Sequence, residues 1–143
     1  MTIRLITVGK PKLAYAKTGW VEYLGRLHRL HTVEARHIPD KYAHTAAKLL
    51  EEVKGTTLVV LEIQGNEYSS EELAAFLTKR EIESKPMSFL VGGPEGLPEA
   101  VRKAADYQWS LGRLTLPHDL AALVTLEALY RASTINAGLP YHK

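Results

Sequence analysis

The chain has 143 residues, of which 45% are hydrophobic and 24% charged, and its net charge is +2. These values predict one globular domain over residues 1–143 and argue against a disordered or fibrous chain. The sequence has no cysteine, which excludes disulfides and thiolate sites, and no apolar run approaches the ~20 residues of a membrane span. Because the first nine residues alternate and are too few for the apolar region of a signal peptide, we expect a cytoplasmic protein without a membrane partner.

The first half of the chain is predicted to contain two strands and two helices. Alternating apolar residues indicate a strand over Met1–Gly9 and another over His31–Ile38. Helical spacing of apolar residues predicts helices over Ala14–Leu30 and Ala43–Lys54. Gly55 is expected to end the second helix.

Basic residues are concentrated at the start of the chain. Residues 1–37 contain seven Lys or Arg against two Glu, whereas residues 38–143 carry 11 basic and 14 acidic residues. This asymmetry is suited to attracting phosphates, and five of the seven basic residues lie in the stretch 10–29. A solvated helix face rich in Lys and Arg explains the pattern equally well.

The second half also alternates strands with helices. Thr56–Ile63 is an uninterrupted β-prone run, typical of a central strand, and Gln64–Asn66 is expected to turn the chain. Ser69 followed by Glu72 has the spacing of a capping box, which predicts the start of a helix. The remaining predicted elements are a strand over Met87–Val91, a helix with Pro98 at its first position running to Ala105, a last strand with its loop over Trp109–Leu116, and a long helix over Asp119–Ala137 closed by Gly138.

This alternation predicts an α/β fold with a mostly parallel sheet and helices on both faces. Ligands bind such sheets beyond the carboxyl ends of the strands. The candidate ligand-binding segments are therefore Leu61–Gly65, Val91–Leu97 and Leu111–His118. Gly92 and Gly93 remove side chains after a buried strand, so a ligand can approach the main chain. A turn that needs glycine for its own geometry is at least as good an explanation of these two residues alone.

Several familiar sites are missing from the sequence. Gly92, Gly93 and Gly96 do not form GxGxxG, and no Gly-Lys-Ser/Thr follows, so neither a dinucleotide loop nor a P-loop is supported. The six histidines lack the spacing of metal ligands, and we expect no metal. A GxSxG elbow is absent, and His118 beside Asp119 is interpreted as part of a helix cap.

The tail, Tyr141-His142-Lys143, has an unusual composition. It combines an aromatic ring, a group that titrates near neutrality and a cation. These residue types are typical of a functional site. A frayed terminus without a function is an equal alternative from the residues alone.

Four stretches taken together resemble the RlmH family of SPOUT methyltransferases in order and spacing. They are Phe89–Leu97 (FLVGGPEGL), Trp109–Leu111 with Leu114–His118 (LTLPH), Glu127–Ala132 (EALYRA) and Pro140–Lys143 (PYHK). Ile3–Gly9 and Leu58–Ile63 fit the family more loosely, so the resemblance spans nearly the whole chain.

The resemblance implies a homodimer whose C-terminal segment forms a trefoil knot and binds S-adenosyl-L-methionine in a bent form at that knot. The implied cofactor contacts are Leu61, Gly92, Gly93, Leu111, Gly112, Arg113, Leu114, Thr115 and Leu116. Gly112 stands where the family usually has serine or a similar small polar residue. This difference should matter little if main-chain groups make the contacts.

The resemblance also implies a substrate, a pseudouridine in the helix 69 hairpin of 23S rRNA, methylated at N3 on the assembled ribosome. N3 carries a proton that must leave before its lone pair can attack, and His142 is the candidate to accept that proton or to position the base. Tyr141 is expected to stack on the base. Lys143 or Arg131 is expected to stabilise negative charge or phosphate.

Three alternatives remain open. A SPOUT methyltransferase acting on tRNA would use free tRNA as efficiently as ribosomes. A non-catalytic ribosome-binding factor with the same fold would not bind S-adenosylmethionine. A flavodoxin-like small-ligand domain is disfavoured because no phosphate-binding loop follows the first strand.

Overall fold

The structure is a computed structural model that describes residues 1–143. Its strands are β1 (Thr2–Val8), β2 (Thr32–Ile38), β3 (Thr57–Glu67), β4 (Met87–Val91) and β5 (Tyr107–Ser110). Its helices are α1 (Ala14–Leu27), α2 (Ala46–Glu52), α3 (Ser70–Ile82), α4 (Glu99–Ala104) and α5 (His118–Ala137). A 3₁₀ turn at Asp40–Tyr42 lies between β2 and α2.

All five strands pair in parallel, in the order β2-β1-β4-β3-β5. The middle strand β4 is buried at every residue, as expected for a strand that helices cover on both faces. The predicted α/β fold with a mostly parallel sheet is confirmed. In flavodoxin-like domains β3 lies next to β1, whereas here β4 separates them, so the strand order argues against that alternative.

Helices on the two faces of the sheet enclose two apolar clusters. On one face the larger cluster includes Trp20 of α1, Leu77 of α3 and Leu126 of α5. On the other face Leu49 of α2 and Val101 of α4 belong to the second cluster. The uninterrupted apolar sequence of β4 follows from this arrangement, because neither of its faces meets water.

Helix α5 has 20 residues and lies between α1 and α3. It ends at Gly138, whose φ of +69° is in the left-handed region that glycine adopts without strain, so the predicted stop is confirmed. At Gly19 of α1 a Cβ would lie 2.8 Å from Leu123 Cδ2, which shows how closely α1 and α5 approach. The trefoil knot implied for this segment stays a prediction.

The start of α3 is the capping box that the sequence predicted. The Ser69 hydroxyl accepts the Glu72 N–H at 3.0 Å, and Glu72 Oε1 accepts the Ser69 N–H at 2.8 Å. Two of the N–H groups left free at a helix start are therefore bonded locally. This local bonding explains why the boundary could be predicted without tertiary information.

Other boundaries differ from the prediction. The stretch Trp109–Leu116, predicted as a last strand with its loop, contains both, but the strand begins earlier, at Tyr107, and ends at Ser110. In the loop over residues 111–117, Gly112 has a φ of +130° and its N–H donates to Ser110 Oγ. Helix α1 ends at Leu27 instead of Leu30, and α2 begins later than predicted because the 3₁₀ turn precedes it. Pro98 is the N-cap of α4 and not its first helical residue.

Strand β3 continues past the predicted turn and contains a bulge. Its pairing with β5 shifts between Leu61 and Asn66, which both align with Trp109, so residues 62–65 leave the ladder. Gly65 lies against the β5 main chain, where a Cβ would come within 2.7 Å of the carbonyl carbon of Gln108. The glycine is therefore required for close approach within a strand instead of for a turn.

Candidate functional site

A cavity of about 320 Å³ opens beyond the carboxyl ends of β3, β4 and β5. Its walls are residues 61–63 of β3, residues 91–97 after β4 and most of the loop after β5. The first turn of α5 closes it with His118 and Ala121. The three segments that the sequence selected as ligand-binding loops therefore meet at one cavity.

The cavity brings together every predicted cofactor contact except Arg113, which is exposed and outside the lining. The predicted residues that line it are Leu61, Gly92, Gly93, Leu111, Gly112, Leu114, Thr115 and Leu116. The sequence analysis did not select Glu62, Glu95 or His118, which line it as well. Each of these three residues lies inside one of the segments predicted to bind a ligand. Its place in that segment is the sequence signal that could have identified it. Binding of a cofactor by these residues stays a prediction.

Gly92 is required for the turn after β4. A Cβ on Gly92 would lie 2.9 Å from Leu97 Cγ and 3.0 Å from the carbonyl carbon of Gly96. Gly96 itself has a φ of +81°, and its N–H donates to the Gly93 carbonyl at 2.9 Å. The turn therefore folds back on itself at a distance that only a residue without a side chain permits.

Ser110 joins two walls of the cavity. Its hydroxyl lies 2.8 Å from the Ile63 carbonyl in the β3 bulge and accepts the Gly112 N–H at 3.1 Å. Because the side chain is buried, both bonds are shielded from water. The loop after β5 is thereby held against the bulge.

The first turn of α5 is bonded to two other loops. His118 Nδ1 lies 2.8 Å from the Gly92 carbonyl oxygen, and Asp119 Oδ2 accepts the N–H groups of Lys12 and Leu13 at 2.7 and 2.8 Å. The predicted capping role of His118 is wrong, because Pro117 is the N-cap and no side chain caps this helix. Burial acts to raise the pKa of Asp119, but the two N–H donors outweigh it and lower that pKa.

The charged residues along the cavity are acidic. Glu62 and Glu95 line it, and no Lys or Arg does. Burial raises the pKa of Glu62, which the guanidinium of Arg102 at 3.9 Å partly offsets. Glu95 is exposed and lies 2.9 Å from His44. This lining favours a ligand with positive charge and disfavours a phosphate.

Main-chain donors are also free along the cavity. The N–H groups of Leu114 and Leu116 make no hydrogen bond within the chain. The leucines around them supply apolar surface. Such a lining can bind a flat heteroaromatic ring by its faces and hydrogen-bond its ring nitrogens.

The tail packs on α5, α1 and α3 of its own chain. Tyr141 lies edge-to-face against Tyr130 at 4.7 Å and under the Arg131 guanidinium at 4.7 Å. Its hydroxyl is 3.1 Å from that of Tyr23. Burial, followed by this hydrogen bond, raises the pKa of Tyr141 to about 12, so the phenol keeps its proton near neutral pH.

His142 lies between a cation and an anion. Its Nδ1 is 3.2 Å from Arg131 Nη1, and its Nε2 is 2.8 Å from Glu71 Oε1. A guanidinium can only donate, so Nδ1 accepts, and Nε2 must carry the hydrogen that Glu71 accepts. Arg131 is held in turn by Glu127, whose Oε1 accepts from Nε at 2.8 Å. Lys143 is exposed and forms no salt bridge.

The cavity and the tail lie at different positions along α5. His118 at its first residue lines the cavity, whereas Arg131 contacts the tail. Arg131 comes 13 positions after His118, which corresponds to about 20 Å of helix. The predicted catalytic residues are therefore close to one another but are not at the cavity of the same chain.

The basic stretch 10–29 is only partly free to bind a phosphate. Lys12 lies 3.5 Å from Asp40, and Arg26 lies 2.7 Å from Glu22. Arg26 also lies over the rings of Tyr23, Tyr130 and Tyr141, next to the tail. Contact between this stretch and RNA stays a prediction.

The structure has neither a metal-binding cluster nor a membrane-spanning helix. No three His, Asp or Glu side chains are grouped so that they could hold a metal ion. None of the helices combines the length and the apolar character that crossing a bilayer requires.

Comparison with known proteins gives consistent matches over the full chain. A model of the family described as predicted SPOUT methyltransferase matches residues 1–142. A Deinococcus radiodurans protein named ribosomal RNA large subunit methyltransferase H is 46% identical over 100% of this chain and 99% of its own. A Thermus thermophilus protein of the same name is 43% identical, again over 100% and 99%. A Legionella pneumophila structure, described as a putative methyltransferase with bound SAM, matches with a TM-score of 0.51. The match covers 92% of this chain and 66% of the other at 13% identity, which shows a shared fold.

Proposed function

Because the chain belongs to the ribosomal RNA large subunit methyltransferase H (RlmH) family of SPOUT methyltransferases, we propose that it methylates N3 of a pseudouridine in 23S rRNA. The proposed methyl donor is S-adenosyl-L-methionine, and the proposed substrate is the assembled ribosome in the cytoplasm. The proposed working form is a homodimer. The lining of the cavity is the observation that carries the proposal.

The cavity suits a sulfonium donor without phosphate. S-adenosylmethionine, when bound, supplies a methyl group on a positively charged sulfur. Glu62 and Glu95 would stabilise that charge, and the absence of Lys and Arg from the lining removes the repulsion that a cation would meet. The free N–H groups of Leu114 and Leu116 can donate to adenine nitrogens, while the side chains of the same two residues cover the ring faces. The carboxylates would instead repel a nucleotide phosphate.

The tail supplies the acid–base chemistry that the acceptor needs. N3 of a pseudouridine must lose its proton before its lone pair can form a bond to carbon. In the observed tautomer the lone pair of His142 is on Nδ1, so this atom accepts the N3 proton. The carboxylate of Glu71 at Nε2 then stabilises the imidazolium until the proton passes to water.

Without substrate, the Arg131 guanidinium donates a hydrogen bond to His142 Nδ1. When the base binds, the guanidinium moves from Nδ1 to the negative charge that remains after N3 is deprotonated. Tyr141 stays a neutral phenol, because its pKa of about 12 excludes a role as base, and its ring stacks on the substrate. Lys143, which has no partner in the chain, contacts a flanking phosphate.

The separation along α5 supports completion of the site by a second subunit. Reacting atoms must approach to about 3–3.5 Å, whereas His118 and Arg131 are about 20 Å apart along the helix. When the tail of the partner subunit lies at the mouth of the cavity, its reacting groups are no longer about 20 Å from the donor. The exposed apolar side chains near the mouth, Ile63 and Leu114, are available for such a contact.

The test is to map methylated nucleosides by mass spectrometry after incubating the protein with labelled donor and ribosomes that lack this modification. We expect one methylated pseudouridine in 23S rRNA, and little product on free tRNA. Equal or better methylation of free tRNA would favour the tRNA enzyme. Failure to bind the donor in a calorimetric titration would favour a non-catalytic ribosome-binding factor. Either result would overturn the proposal.

A further inference from the structure

Three successive residues of β3, Leu61, Glu62 and Ile63, line the cavity. In a regular strand neighbouring side chains point to opposite faces, so Glu62 would be turned away from the surface that Leu61 and Ile63 line. The bulge begins at this point, because residues 62–65 leave the ladder with β5. Bulges next to binding sites commonly redirect a side chain, and this one brings a carboxylate to the cavity.

The chain neutralises the charge of Glu62 only in part. Its side chain is 21% exposed, against 79% for Glu95, the other carboxylate along the cavity. The salt-bridge partner of Glu62 is Arg102, whose Nε lies 3.9 Å from Oε1, too far for a hydrogen bond. The short bond of that guanidinium goes elsewhere, from Nη1 to the Leu97 carbonyl at 2.6 Å. Glu62 therefore gives the cavity a mostly buried negative charge.

A negative charge in this position distinguishes two closely related ligands. S-adenosylmethionine carries a positive sulfonium. S-adenosylhomocysteine, which remains after methyl transfer, has a neutral sulfur, because the electrons of the broken S–C bond stay on that atom. The adenine, the ribose and the amino-acid group are the same in both. An attraction between Glu62 and the sulfonium is therefore present before the reaction and lost after it, and burial strengthens this attraction.

We propose that Glu62 shifts the preference of the cavity toward the charged donor and away from the neutral product. This role rests on the proposed function and names the group that determines its ligand specificity. Loss of the positive charge during methyl transfer weakens the binding of what remains, so the product leaves the cavity more readily and the next donor can enter.

The test is the ratio of the Kd for S-adenosylhomocysteine to the Kd for S-adenosylmethionine, measured by calorimetry. Glu62→Gln keeps the size of the side chain and removes its charge, and we expect this ratio to fall about tenfold from the wild-type value through weaker donor binding. The same change at Glu95 should lower the ratio less, because water screens that exposed carboxylate. Glu99→Gln, at an exposed residue of α4 outside the cavity lining, is the matched control and should leave the ratio unchanged.

A second variant separates charge from shape. Glu62→Asp keeps the carboxylate and should keep most of the wild-type ratio, and binding of the product by Glu62→Gln will show that the cavity is intact. An unchanged ratio in Glu62→Gln, or a larger effect at Glu95, would overturn the inference. So would an equal loss of affinity for both ligands, which would assign Glu62 to a group that both carry. If wild type bound neither ligand, the proposed function would fail as well.

Discussion

At Gly92, the addition of a single methyl group should damage the cavity. In Gly92→Ala the new methyl would overlap the Gly96 main chain at 3.0 Å, which the backbone cannot relieve without opening the turn. We expect the Kd for S-adenosylmethionine to rise about tenfold or more, measured by calorimetry. Gly25→Ala is the control, because a Cβ there meets nothing within 4 Å and alanine suits an exposed helix position. Normal donor affinity in Gly92→Ala would contradict the tight turn.

Asp119 should make stability depend on pH. Its folded pKa is lowered, so its bonds to the Lys12 and Leu13 N–H groups stabilise the protein above the ordinary carboxyl pKa and are lost as pH falls through the folded value. Asp119→Ala should reduce the free energy of unfolding by about 2 kcal/mol near neutral pH. Urea titrations at several pH values should show the difference between wild type and variant shrinking below about pH 4. A difference that does not change with pH would contradict this account.

The sequence predicted which residues line the cavity better than it predicted the hydrogen bonds of the cavity. Gly92 and Leu114 could be assigned to one site because parallel strands bring their carboxyl ends together. The contact from His118 to Gly92 spans 26 residues of sequence and depends on how α5 packs, which no local pattern encodes. The neighbouring Asp119 suggested a helix cap, and the competing long-range bonds of both side chains made that interpretation wrong.

At the scale of elements, the bulge in β3 should be sensitive to one methyl group. In Gly65→Ala the Cβ would lie 2.7 Å from both the carbonyl carbon and the oxygen of Gln108, which are main-chain atoms of the neighbouring strand. Overpacking against a backbone costs about 1–3 kcal/mol, and we expect a loss of stability in that range by chemical denaturation. An unchanged free energy of unfolding would show that the two strands can separate at this point. The Gly25→Ala variant again serves as the reference.

Local signals predicted some elements well and others poorly. The capping box at Ser69 and the stop at Gly138 are made by neighbouring residues, and both are observed. The loop over residues 111–117 was predicted in one stretch with the last strand, because its leucines do not show where the strand ends. It leaves the sheet because Ser110 and Gly112 bend the chain toward the β3 bulge, a tertiary arrangement that the β propensity of single residues cannot reveal.

At the scale of the whole molecule, the proposed completion of the site by a second subunit predicts complementation. At donor concentrations well below the wild-type Kd, a chain lacking residues 141–143 should be inactive on ribosomes, and Gly92→Ala should retain about a tenth of wild-type activity or less. In co-expressed mixtures half of the dimers are mixed, and each mixed dimer has one intact cavity facing one intact tail, so about a quarter of wild-type activity should return. The mixture gives this measurement, and mixed dimers purified through two different tags should reach about half of wild-type activity. If each tail served the cavity of its own chain, no activity would return.

Helix α5 also constrains how this protein can change in length. The cavity and the tail are attached to one continuous helix, so each residue added between His118 and Arg131 would advance the tail by about 1.5 Å and rotate it by about 100°. A single insertion would turn Arg131 away from its neighbours, whereas seven added residues would nearly restore its angular phase while displacing it by about 10 Å. Surface loops generally tolerate insertions, but the spacing within α5 permits almost no insertion or deletion.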